Sequence, residues 1–152
     1  MRILVAAVGR AGQGIEKRLY EHYAARLAWP LSLKEVTLKP ALPPARQKEK
    51  EGELLLSAAK EAEKIVALDA AGELISSEGL AARLGRWRDG GADTLAFLIG
   101  GSDGLAPAVL ARADLTLAFG RVTWPHLLVR GLLLEQLYRA QQILAGHPYH
   151  RG

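Results

Sequence analysis

The sequence predicts an α/β protein built on a mostly parallel sheet, and two observations carry that expectation. Short runs rich in branched apolar residues alternate five times with longer stretches of helical periodicity, the pattern of strands joined by crossover helices. Glycine or proline punctuates the junctions at Gly9, Pro40, Gly100, Pro125 and Gly146, where a regular element must stop or turn. With 152 residues the chain reads as one domain over 1–152, long enough to bury its own core. It contains no internal repeat or low-complexity tract.

The elements follow in order. Residues 3–8 form an unbroken apolar run, read as a buried strand, and 12–27 carry a helical pattern. Residues 31–38 alternate apolar and polar as a half-buried strand does. Pro40, Pro43 and Pro44 then force a loop, because proline fixes its own φ and donates no hydrogen bond. A charged amphipathic helix is expected over 47–63, a strand over 64–68 ending at Asp69, and a helix over 76–88. Ser76 or Ser77 is placed to cap that helix. Residues 94–99 form a strand ending in Gly100-Gly101, 105–112 a short helix and 115–119 the fifth strand. Pro125 opens the last and longest helix, which stops before Gly146.

Composition excludes several classes. The hydrophobic fraction is 49%, yet no stretch approaches the ~20 apolar residues of a membrane span. Residues 1–5 lack the longer apolar region of a signal peptide. Cysteine is absent, which removes disulfides, thiolate metal sites and cysteine nucleophiles. A cytoplasmic protein without a membrane partner is the expectation. Net charge is +4 and the pI about 9.6, a mild excess that favours a polyanion. That excess is concentrated late. From residue 116 onward Glu135 alone stands against Arg121, Arg130, Arg139 and Arg151.

In parallel sheets ligands collect at the carboxyl ends of the strands, so the strand ends carry the chemistry. The turn Gly9-Arg10-Ala11-Gly12-Gln13-Gly14 suggests a phosphate loop, with Glu35 near the position of a ribose-binding acid. Its glycines are spaced G-x-x-G-x-G, however, and no Gly-Lys-Ser/Thr follows. Leu68 and Asp69 end one strand. Gly100 and Gly101, with Gly104 close behind, end another and strip side chains from backbone that a flat ligand could approach. Arg121, Val122, Thr123, Trp124, Pro125 and His126 supply a second non-helical segment whose amides and carbonyls could read an adenine edge. The tail His147-Pro148-Tyr149-His150-Arg151 ends in groups that pair with phosphates, stack on bases and move protons. The histidines lack the helical spacing of a zinc site, and no nucleophile turn marks a hydrolase. The last helix is apolar around well over one face, which points to burial by a second subunit.

The same residues resemble the RlmH-type ribosomal RNA methyltransferases of the SPOUT class. The resemblance covers the whole chain in length and element order. It is most specific in Leu98-Ile99-Gly100-Gly101, Thr123-Trp124-Pro125-His126 with Val129-Arg130, Leu137-Tyr138-Arg139-Ala140 and His147-Pro148-Tyr149-His150-Arg151. Ser102-Asp103, Phe119-Gly120-Arg121 and Trp124 depart from the usual residues. The resemblance implies a trefoil-knotted α/β fold, a homodimer, and S-adenosylmethionine held by Leu68, Gly100, Gly101 and the segment from Arg121 to His126. It implies methylation of N3 of a pseudouridine in large-subunit ribosomal RNA, on the assembled ribosome. The N3 proton must leave, and His150 or Tyr149 as base, with Arg151 or Arg130 stabilising the anion, are the candidates, beside water. Two other readings stand against this one. A ribosome- or RNA-binding factor without activity would need no cofactor, and a nucleotide-dependent enzyme would use the Gly9 turn.

Overall fold

The computed structural model describes residues 1–151, the His150 side chain excepted. All five expected strands and five expected helices form. They run β1 (Arg2–Val8), α1 (Ile15–Ala24), β2 (Leu31–Val36), α2 (Pro44–Ala58), β3 (Lys64–Leu74), α3 (Ser77–Asp89), β4 (Thr94–Ile99), α4 (Pro107–Arg112), β5 (Leu115–Ala118) and α5 (His126–Leu144), closed by a 3₁₀ turn (Pro148–Arg151). The strands make one sheet in the order β2-β1-β4-β3-β5, every neighbouring pair parallel. Parallel strands must be covered on both faces. On one face α1, α3 and α5 pack around Val5, Phe97, Leu84, Leu133 and Leu137. On the other, α2 and α4 pack around Ala6, Leu98, Leu55 and Val109.

Boundaries differ from expectation where tertiary contacts decide them. Helix α1 starts at Ile15 and not Gly12, and α2 spans Pro44–Ala58 and not 47–63. Proline in the first turn of α2 gives up an N–H that would be unpaired there anyway. Ser76 is the N-cap of α3, accepting from Gly79 N at 3.0 Å. The largest difference is β3, which does not end at Leu68. The chain leaves β5 after Leu68, where Asp69 Oδ1 accepts from Ala71 N, and rejoins it at Glu73 and Leu74. Nothing in Ala-Ala-Gly-Glu has strand periodicity, so only pairing with β5 makes this stretch extended.

Candidate active site

The stretch of β3 where it leaves β5, together with the carboxyl ends of β4 and β5, opens into a cleft of about 550 Å³, a size suited to a cofactor. Leu68, Asp69 and Ala70 line it from β3, Ile99 to Ser102 and Gly104 from β4, and Leu117, Phe119, Gly120 and 122–126 from β5 onward. The structure thus brings together Leu68, Gly100, Gly101, Val122, Thr123, Trp124, Pro125 and His126 from segments far apart in sequence. Arg121 stands just behind them. Its guanidinium donates to the carbonyls of Ala70 and Gly72, the latter at 2.8 Å, and so ties the β5 loop to the excursion in β3. Within the loop, Trp124 Nε1 donates to Phe119 O at 3.0 Å.

The glycines of the β4 turn serve packing first. A Cβ on Gly100 would lie 2.6 Å from Gly104 O, and one on Gly101 would lie 3.0 Å from Val8 Cγ1 and 3.6 Å from both Glu51 carboxylate oxygens. The turn therefore closes on itself and settles against β1 and α2, which leaves its backbone facing the cleft.

Residues 1–150 match the family described as "Predicted SPOUT methyltransferase". The chain belongs to the SPOUT methyltransferases. Its relatives include proteins named ribosomal RNA large subunit methyltransferase H. One from Rhodospirillum centenum is 56% identical over 152 residues, 100% of each chain. Another from Paramagnetospirillum magneticum is 55% identical over 151 residues, 99% of each. Among solved structures, a probable methylase family protein from Haemophilus influenzae Rd KW20 shares the fold with a TM-score of 0.61 at 11% identity, over 97% of this chain and 69% of that one. A putative methyltransferase from Legionella pneumophila, solved with S-adenosylmethionine bound, aligns with a TM-score of 0.51 at 12% identity, over 92% of this chain and 66% of that one.

Two groups of expected site residues lie outside the cleft of this SPOUT chain. Arg130 is only 2% exposed. Its Nη1 pairs with Glu35 Oε2 at 2.6 Å, and its Nη2 donates to Val8 O at 3.2 Å and Gly9 O at 2.9 Å. Glu35 Oε2 also accepts from Ala11 N at 2.7 Å. Glu35 thus holds the turn after β1 and does not stand free for a ribose. Its burial favours the neutral acid, but the bonds from Arg130 and Ala11 and the charges of Arg130 and Arg10 win and lower its pKa.

The tail of this SPOUT chain folds back on α5. The Tyr149 ring meets Tyr138 edge-on at 4.7 Å, lies 5.0 Å from the Arg139 guanidinium, and its hydroxyl donates to Glu135 Oε1 at 3.3 Å. Burial, then the neighbouring Tyr23 and Glu135, push its pKa up to about 12. A phenol so held keeps its proton and directs it at Glu135. Arg151 is exposed, and the His150 side chain lies outside the described residues. Sequence reasoning passed over Leu117 and Val129 as cleft walls. It also missed the internal role of Arg130, although that residue precedes Leu133, Leu134 and Leu137 at three, four and seven positions, on their buried helical face.

Proposed function

We propose that this SPOUT protein transfers a methyl group from S-adenosylmethionine to N3 of a pseudouridine in large-subunit ribosomal RNA, in the cytoplasm and on the assembled ribosome. The observation that carries the reading is the cleft, built from three separate segments of chain at one edge of the sheet that offer backbone edges between apolar walls. Its residues fit the cofactor. The backbones of Gly100, Gly101 and 122–126 suit an adenine edge, Leu68, Leu117 and Phe119 its faces, and Asp69 supplies a carboxylate at the rim for a cationic group. When bound, S-adenosylmethionine supplies an electrophilic methyl group on a sulfonium. The chain's own contribution is alignment of the acceptor nitrogen with that carbon, together with charge that favours the N3 anion.

The tail serves the acceptor, Arg151 facing the developing anion and His150 or water taking the proton. Tyr149 is seated at Glu135 and Tyr138, roughly 14 to 18 Å along α5 from His126 at 1.5 Å per residue. Within one chain the tail therefore stands away from the cleft, and a second copy is what brings the two together. Leu127, Leu128 and Leu132 support that homodimer. They are half-buried and belong to neither core cluster, and Val122 and Trp124 are exposed beside the cleft. Threading of the C-terminal segment through an earlier loop, the trefoil knot, belongs to the same reading.

Calorimetric titration tests it directly: S-adenosylmethionine should bind and NAD should not. Mapping methylated pseudouridine in RNA from cells with and without the gene tests the acceptor. Unchanged maps would refute it.

A further inference from the structure

We propose that the turn after β1, residues 9–14, forms part of the surface that receives the acceptor RNA. Arg10 is its phosphate contact, and Arg130 and Glu35 are positioning residues that hold it. The proposal rests on the methyltransferase reading of the neighbouring cleft.

The turn adjoins the cleft at two points. Val8, the residue before it, lies against Gly101, and the His126 imidazole Nε2 stands 3.6 Å from where a Cβ on Gly9 would be. Gly101 and His126 both line the cleft. Gly9 sits at φ +91°, a conformation that strains any residue with a Cβ. The turn is therefore bare backbone where it passes the cleft wall.

It is also fixed in place at a solvation cost. Surface turns are ordinarily left mobile, yet this one is held from beneath by a guanidinium taken almost wholly out of water. An apolar side chain at position 130 would have packed among Leu133, Leu134 and Leu137 without that penalty. What the charge adds is two carbonyl bonds, to Val8 and Gly9, and a carboxylate partner that holds Ala11 N. Rigid support beneath an exposed backbone turn is what a preorganised binding surface needs. Above the support, Arg10, Gly12 and Gln13 face solvent. Arg10 makes no hydrogen bond or ion pair among the described residues. An exposed arginine on a fixed turn beside the cleft suits a nucleic-acid phosphate.

The test uses the full chain, S-adenosylmethionine and large ribosomal subunits from cells lacking the gene. Arg10→Ala should raise KM for the subunit about five- to tenfold, the worth of one charge-assisted contact. Its kcat and its affinity for S-adenosylmethionine should stay within about twofold of wild type. The log–log salt dependence of subunit binding should flatten by about 0.7 to 0.9, the loss of one phosphate contact. Arg10→Lys should restore most of the KM. Glu35→Gln and Arg130→Lys, which loosen the turn and leave Arg10 in place, should lower kcat/KM for the subunit while cofactor affinity holds. An unchanged KM and salt slope in Arg10→Ala overturns the proposal. So does a parallel loss of cofactor affinity, which would put the turn in the cofactor site. A wild-type protein that transfers no methyl group fails the underlying reading instead, and the two failures are told apart by that control.

Discussion

Replacing Gly100 by alanine tests whether the β4 turn shapes the cleft. The added Cβ would lie 2.6 Å from Gly104 O, 2.7 Å from the carbonyl carbon of Gly104 and 3.2 Å from Leu105 Cδ2. The first two are backbone atoms, so no rotamer change relieves the overlap. The turn must open, against the bond from Gly104 N to Gly101 O at 3.0 Å. Overpacking of this kind costs about 1 to 3 kcal/mol, which for a domain of this size lowers the melting midpoint by about 2 to 12 °C. Because the displaced backbone is the cleft wall, affinity for S-adenosylmethionine should fall by about tenfold or more. Gly101→Ala is the control. Its nearest contact is Val8 Cγ1 at 3.0 Å, a side-chain atom and not backbone, that need give only a few tenths of an ångström, so the cost should be smaller than at Gly100. Scanning calorimetry and cofactor titration read both variants. Gly100→Ala melting with wild type, or Gly101→Ala proving the worse of the two, would refute the reasoning.

Three further outcomes are expected. Glu35→Gln should destabilise the protein by about 1 kcal/mol at neutral pH. The Glu35 pKa is lowered in the fold, so its contribution is complete above the ordinary value of 4.5 and fades as pH falls through the folded value; denaturation at pH 7 and in mild acid should show the gap to wild type closing. Arg121→Ala should release Ala70 and Gly72 from the β5 loop and weaken S-adenosylmethionine several-fold with little change in melting midpoint, as titration would show; unchanged affinity would remove Arg121 from the cleft's supports. Deleting residues 147–151 should abolish methyl transfer to ribosomal subunits and leave cofactor affinity within a few fold, whereas truncated protein that methylates normally would exclude the tail from the reaction.

The fold class was legible because its signal is local. Each strand core and each helix announces itself within its own window of sequence, and Ser76 and Pro125 mark starts that the structure confirms at or beside those residues. Half of the cleft was legible for the same reason, since strand ends with glycines are visible one at a time. What stayed hidden depends on pairs distant in sequence. The extension of β3 to Leu74 exists through β5, some forty residues on. Glu35 meets Arg130 across 95 positions, and Arg121 reaches carbonyls 51 and 49 residues earlier. A single sequence records neither partner beside the other.

The same long-range pairing changes what the late cluster of arginines means. Read along the chain, Arg121, Arg130, Arg139 and Arg151 are a basic segment awaiting a polyanion. In the fold three of them are engaged internally: Arg121 on the carbonyls of the β3 excursion, Arg130 on Glu35 and the end of β1, Arg139 on Glu135 at 2.6 Å. For Arg121 and Arg130 the engagement has a common cause, whereas Arg139 simply pairs with Glu135 one turn back on α5. Loops at the carboxyl ends of parallel strands present carbonyls that no neighbouring strand satisfies, and a guanidinium fork can take up two of them at once. Arg121 and Arg130 do this on either side of the cleft. Of the late arginines, Arg151 on the tail supports no loop among the described residues and is left to meet RNA, as is Arg10 on the clamped turn. Affinity for the ribosome should accordingly depend on a few placed charges, and its salt dependence should be shallower than the sequence count of arginines implies.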